Sequence, residues 1–347
     1  MSSRSVKDNL AIVINQDFLT LNSLNYPLIL VLAATLDYLV GDPGALPHPV
    51  QFMGWIISRY TQFTIRKFPS KLVRRIAGIG LTIALIFGSA IAGWLLVRVA
   101  TWLHPIGGIL TQTILLASCF ATRSLRAAAE DVLQPLSVGN LPEARTNLSR
   151  YVGRDTENLD EPEVLRAVLE TIAENTTDGV TAPLFYALVG VFFPGIGSVP
   201  FALAYKAAST LDSMVGYTTE PYLDLGWSSA KLEDFLTWFP CRLTVFSIAL
   251  RGKFLQVWKL CLRDAKADPS PNSGWSECAF AAALDVQLGG TNFYGGVLKY
   301  KPLLGEPKEL ITPAKIHQGL QLMRFCFLLW LGLALVILFA KSIWFQS

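Results

Sequence analysis

Histidine is scarce in this chain. Three in 347 residues, His48, His104 and His317, stand far apart, which argues against a histidine metal centre. The five cysteines, Cys119, Cys241, Cys261, Cys278 and Cys326, include no two at metal-ligand spacing and lie mostly among apolar residues. They read as buried free thiols of a reducing compartment. Charge is thin: 16% of residues are Asp, Glu, Lys or Arg, against about 25% in an average soluble domain. A net charge of +3, with no basic run interleaved with aromatics, excludes nucleic acid as a partner. There is no Gly-x4-Gly-Lys-Ser/Thr and hence no P-loop. The stretch Pro194-Gly195-Ile196-Gly197 lacks the third glycine of a dinucleotide fingerprint. Low-complexity tracts and internal repeats are missing too. So is a clear cleavable leader: Arg4 and Lys7 precede the first apolar block, but Asp8 and Asp17 intervene and no small-x-small site follows.

What the chain does have is hydrophobic length, with 52% hydrophobic residues. Residues 76–104 and 323–345 are each long enough to cross a bilayer, which takes about 20 mainly apolar residues. Residues 27–40 read as a shorter retained span and 109–122 as another. Residues 54–68, with Trp55, Tyr60, Arg59, Arg66 and Lys67, read as an interfacial helix. Residues 181–208 are apolar but broken at 194–197 and Pro200, giving either one kinked span or a re-entrant hairpin. Such breaks are tolerated at membrane depth where the backbone is buried in protein or lines a cavity. Residues 232–250 contain Glu233, Asp234, Pro240 and Arg242 and read as a weak span or an interfacial helix. The polar sections 123–179 and 251–322 are expected to carry helices over 124–136, 142–151 and 275–288. Another starts near Pro162, capped by Asp160. The fold class is thus all-α: a polytopic integral membrane helical bundle with cytoplasmic helical segments. Residues 26–347 form one domain behind an N-terminal extension of residues 1–25.

Basic residues orient the chain. Residues 41–75 and 123–179 hold six Lys or Arg each, and 251–324 hold ten, while the turn 104–108 holds none. The positive-inside rule puts all three basic sections in the cytoplasm. Residues 181–250 must then cross the membrane an even number of times. The chain is expected in the cell (inner) membrane, in contact with lipid, with its chemistry facing the cytoplasm; a homo-oligomer is left open.

The chemistry gathers where polar sections meet apolar ones. On a helix from Pro162, Leu165, Val168, Leu169 and Ile172 share one face, and Glu163, Glu170 and Glu174 share the other, within about 40°. That strip is either a solvated face or a Mg²⁺- or phosphate-handling one, continued by Asn175 and Asp178. It runs directly into the apolar block from Val180, where ionisable groups are costly and usually functional. Asp37 and Asp42 stand at the matching end of the first span, and Lys206 and Asp212 flank the end of the broken segment. Two loops add polar groups: 263–274, whose amides could receive anionic oxygens or merely cap a helix, and 289–296, either a ligand-closing segment or a hairpin turn. Asp178-Gly179-x-x-Ala182 starts like the motif of membrane alcohol phosphotransferases. Pro183 stands where an arginine is needed and the later aspartates are missing, so that match fails.

Taken together, the motifs resemble the CobD/CbiB family, adenosylcobinamide-phosphate synthases of cobalamin biosynthesis. The matching pieces occur in family order over roughly residues 30–304. They are Leu36-Asp37, Gly41-Asp42-Pro43, His48-Pro49-Val50 with Gly54, and Tyr151 with Gly153-Arg154-Asp155. Next come Glu170 with Glu174-Asn175, Asp178-Gly179 with Ala182-Pro183, Tyr205-Lys206, and Thr210 through Tyr217. Arg263-Asp264, Pro271 through Gly274, Gly289-Gly290 and Tyr294-Gly295-Gly296 complete them. The resemblance implies an amide ligase that uses ATP and Mg²⁺. Its substrates would be a corrinoid, adenosylcobyric acid, through a propionate carboxylate, and (R)-1-aminopropan-2-ol or aminopropanol phosphate. Under it, Glu170, Glu174, Asp178 and Lys206 are the catalytic candidates, the three carboxylates also holding the metal. Asp37, Asp42, His48, Arg154, Asp155, Asn175, Asp212, Tyr217, Asn272, Ser273 and Tyr294 are candidates for binding substrate or ATP. The rival reading is a corrinoid-binding or transport membrane protein without catalysis.

Overall fold

The computed structural model describes residues 25–41, 48–193, 195–217 and 219–344. Helix dominates, at 76%. In chain order the helices are α1 (Asn25–Leu39), α2 (Pro49–Lys67), α3 (Lys71–Leu103), α4 (Pro105–Ala117), α5 (Thr122–Ser137), α6 (Leu141–Leu148) and α7 (Glu161–Asn175). A single π turn (Thr176–Thr181) leads into α8 (Ala182–Val191), followed by α9 (Ser198–Val215), α10 (Trp227–Arg251), α11 (Phe254–Asp264) and α12 (Ser273–Leu284). Strands β1 (Gln287–Tyr294) and β2 (Val297–Gly305) precede α13 (Pro313–Trp344). Among the described residues, three stretches are long and apolar enough to cross a membrane: Lys71–Leu103, Pro105–Ser137 and Pro313–Ile343. Asn25–Leu39 is a shorter apolar helix.

Local chemistry explains the boundaries. Asp160 caps α7 by accepting the Glu163 amide at 2.9 Å, with Pro162 in the first turn, as expected. His48 and His104 do the same before Pro49 and Pro105, their Nδ1 atoms accepting the amides of Val50 and Ile106. All five cysteines are buried free thiols.

The broken apolar segment is a hairpin. α8 and α9 fold back on each other, and α9 lies along α3. Trp94 Nε1 donates to the Gly195 carbonyl at 2.7 Å, and Lys341 Nζ donates to the Val191 carbonyl at 2.9 Å, so α3 and α13 both grip the tip. Close approach of the two arms depends on Gly190: a Cβ there would stand 2.8 Å from the Ser198 Cα. Gly190→Ala is expected to lower stability by about 1–3 kcal/mol through overpacking, read as a fall in the detergent melting temperature.

α10 reaches from α3 to α13. Ser228, near its start, bonds Thr82 of α3, and Ser247, near its end, accepts from Trp330 of α13. Phe235, Trp238 and Phe239 face outward while Glu233 is buried. Among the described residues, α10 is not one of the helices long and apolar enough to cross a membrane, and its charged residues turn inward toward other polar groups.

The all-α expectation needs one correction. The helix expected to Leu288 stops at Leu284, where Asp285 turns left-handed (φ 57°), and the chain enters an antiparallel hairpin. Gly295 and Gly296, both at positive φ, make its two-residue turn. Gly289 and Gly290 sit inside β1 beside a register shift. Of the two readings of 289–296, the hairpin turn holds, with most of the segment in strand and the turn confined to 294–297.

Candidate active site

The site is built around a proline. Pro183 has no amide to offer the Gly179 carbonyl one turn back, so the helix loosens into the π turn Thr176–Thr181. The freed carbonyl accepts the Ala121 amide at 2.9 Å instead. This ties the end of α7 to the start of α5 and aims Asp178 into the end of the bundle at which α3 and α13 begin.

Glu170 is no solvated surface charge. It is 2% exposed. One oxygen pairs with Arg154. The other accepts Arg166 Nη1 at 3.1 Å and the Gly289 amide at 2.9 Å. Asn292 Oδ1 accepts from Arg154 and Arg166 as well, at 2.8 and 3.1 Å. Burial would push the Glu170 carboxyl up, but Arg154, Arg166 and Lys301 outweigh it and hold it below the ordinary value. Glu170 and Arg154 are thus committed to each other, locking the 151–155 loop, α7 and β1 together.

Glu174, one turn further along, is exposed and stands between two charged groups. On one side are Asp178, Asp212 and Glu233, with Lys206 as the nearby cation. On the other is the Glu277–Lys301 pair at 2.5 Å, Glu277 being fully buried. The repulsion is legible in proton affinity. Asp212 is pushed up to about 7, by burial and then by Asp234 and Glu174. Glu233 is pushed up to about 8 by burial, with Asp212, Asp234 and Glu174 adding and the Thr237 hydroxyl opposing. Asp178 is raised by burial and then by Glu233, Glu174 and Asp212, against Lys206. Lys301, despite burial, is held charged by Glu277, Glu174 and Glu170.

The other expected residues divide. Tyr217 lies within the field of Asp212, Glu174 and Tyr294, and Tyr294 also faces Arg154, so both rings border the charged group. Asn175 is next to Glu174 but donates back to the Thr171 carbonyl. Asp37 is buried and accepts from the amide and hydroxyl of Thr122, adjacent to the Ala121–Gly179 link. Asp155 accepts the Gly295 and Gly296 amides at 2.9 and 2.7 Å and so holds the hairpin turn. His48 caps α2, which packs on α9 through Gly54 and Met214. Asn272 is buried between Arg242 and the Asp234 carbonyl. It touches the carboxylate group only through that neighbour. Ser273 reaches Asp268 at 3.4 Å. Asp42 lies outside the described residues. Sequence reasoning had not selected Glu277, Lys301, Asn292 or Arg166 as site residues, and it noted Glu233 only as an oddity. A glutamate inside the apolar run from Trp275 to Leu284 was the available signal.

Among the described residues, no three His, Cys, Asp or Glu side chains form a metal cage. Mg²⁺ carried by a nucleotide does not need one: it keeps water and takes one or two carboxylates plus phosphate oxygens. Glu174 and Asp178, whose charges oppose one another, suit that use. Glu170 does not, since Arg154, Arg166 and the Gly289 amide already occupy its oxygens.

Comparison with known proteins follows the same lines. The profile of the CobD/Cbib proteins matches residues 30–323. A cobalamin biosynthesis protein CobD of Synechocystis sp. is 54% identical over 91% of this chain and 94% of its own length. Proteins of the same name from Halalkalibacterium halodurans and Geobacter metallireducens are 43% and 44% identical. The former match covers 85% of this chain and 91% of the relative, the latter 80% and 86%. No solved structure matches. The chain belongs to the CobD/CbiB family of cobalamin biosynthesis proteins.

Proposed function

We propose that this chain is an ATP-dependent amide ligase at the cytoplasmic face of the cell membrane. It would join a propionate carboxylate of adenosylcobyric acid to (R)-1-aminopropan-2-ol or its O-phosphate. One observation carries the reading: Glu174, Asp178, Lys206, Asp212, Glu233 and the Glu277–Lys301 pair come from six separate elements and meet at one end of an apolar bundle. A free carboxylate is a poor acyl donor because oxide would have to leave. Phosphorylation supplies a better leaving group, and positioning plus charge neutralisation supply most of the catalysis of phosphoryl transfer.

The residues divide the work as follows. Glu174 and Asp178 would hold Mg²⁺-ATP, and the ion would neutralise charge on the phosphates. Lys206 suits a phosphate oxygen. Arg154 is reassigned from binding substrate or ATP to positioning, because Glu170 holds it. Tyr217 and Tyr294 would border the bound corrinoid. Asp212 is the candidate base for the proton the amine must lose on acylation, since a base poised near the working pH transfers protons best.

That role has a sign. Asp212 accepts a proton only when ionised, so kcat/KM, which reports the groups of the free protein, should rise with pH through about 7. Asp212→Asn is expected to erase that limb and to slow turnover by about 10²–10⁴-fold. A pH profile that keeps its inflection in the variant would exclude Asp212 as the base. The test of the reading as a whole is direct. Purified protein is given ATP, Mg²⁺, the corrinoid acid and aminopropanol phosphate, and product is read by mass. Amide product supports the ligase. Corrinoid retention without product supports the binding or transport alternative, which the broken α8–α9 segment favours.

A further inference from the structure

Helices α1, α5 and α13 enclose a groove of about 700 Å³, whose lining includes Glu130. Its two ends differ. At the polar end stand Arg123, Arg126 and Arg324, around Tyr38. Arg123 donates to the Tyr38 carbonyl at 3.2 Å, and the Arg324 guanidinium lies 5.0 Å from the Tyr38 ring centre. Neither Arg123 nor Arg324 has a carboxylate partner among the described residues; Arg126 pairs with Glu130 at 2.7 Å. The other end is apolar and descends along α13 through Leu328 to Leu331. Seven residues of helix from Arg324 to Leu331 amount to about 10 Å of depth.

The level of the arginines matters. Arg324 stands where α13 turns apolar, and Arg123 and Arg126 stand just past the apolar part of the Pro105–Ser137 stretch. Both positions mark the headgroup level of a bilayer around these helices. Guanidinium groups pair phosphate oxygens through a planar fork of donors, and Leu328, half exposed, continues the groove onto the lipid-facing surface. A soluble anion would use the arginines and leave the apolar end empty.

We infer that this groove is a binding site for an anionic phospholipid, its phosphate held by Arg123 and Arg324 and one acyl chain lying toward Leu331. This goes beyond the ligase reading and does not depend on it.

The test uses the full chain, purified in mild detergent and stripped of lipid. Phosphatidylglycerol is expected to raise the melting temperature by about 5 °C at a large excess over its dissociation constant. Phosphatidylcholine and inorganic phosphate should do much less. Arg123→Gln with Arg324→Gln should abolish the gain, while Arg59→Gln with Arg66→Gln, on the separate basic face of α2, should keep it. Native mass spectrometry should show one retained phosphatidylglycerol on the parent chain and none on the groove variant. Equal gains from phosphatidylcholine, or from phosphatidylglycerol in the groove variant, would overturn the site. A gain from inorganic phosphate matching that from the lipid would make it a soluble-anion site and overturn the lipid assignment. If the double variant does not fold, Arg324→Gln alone must lose most of the gain, and retention of the full gain would sink the proposal.

Discussion

Glu174→Ala should lower amide formation by about 10²–10³-fold, the scale for removing one electrostatic group from an active site, while leaving expression and melting temperature near those of the parent. The two halves of that expectation come from the same geometry. Glu174 is exposed and makes no ion pair among the described residues, so the packed core does not depend on it. Yet its charge reaches Asp178, Asp212 and Glu233 on one side and Lys301 on the other. A residue that influences every charged neighbour but bonds to none is suited to a ligand that arrives later. Turnover by mass and a detergent melting curve check it together. Near-parental turnover would remove Glu174 from the machinery, and a large fall in melting temperature would make it a structural residue.

Arg154→Met should behave in the opposite way. Arg154 and Glu170 are both buried, and removing the arginine leaves a carboxylate facing one guanidinium where it had two. Breaking a buried pair typically costs about 3–5 kcal/mol, which for a chain of this size corresponds to roughly 5 °C in melting temperature. The 151–155 loop and the hairpin would loosen together, because Arg154 also bonds Asn292 and Asp155 holds the hairpin turn. Activity should fall mainly with the folded fraction. A double-mutant cycle with Glu170→Gln should show strong non-additivity, since the two residues share one network. Additive losses would mean that the pair is not a unit.

Much of this was readable without coordinates, because the signals were local. Apolar length foretold α3 and α13. Asp160 and Pro162 foretold the start of α7, through an unsatisfied helix amide and a proline that lacks one. The Gly-Gly turn at 295–296 carried a hairpin signal, but Gly289 and Gly290 obscured the strand because glycine usually weakens one. The carboxylate strip of α7 was visible as a spacing, and its meaning was not. Glu170 and Glu174 share a face and a residue type, so periodicity cannot separate them. Only the partners can: Arg154 and Arg166 close every side of Glu170 together with the Gly289 amide, more than a hundred residues away in β1.

The sequence alone therefore determined what covalent neighbours control: which stretches are apolar enough for lipid, where helices are capped or stopped, and which charged residues recur as motifs. Tertiary structure alone decided that 181–208 doubles back, that α10 joins α3 to α13, that one glutamate is spent on two arginines while the next is left open, and that Glu277 and Lys301 join the site. The reason is physical. A helix start depends on a few bonds within one turn, whereas the role of a charge depends on which distant charges and how much water surround it once the chain has packed.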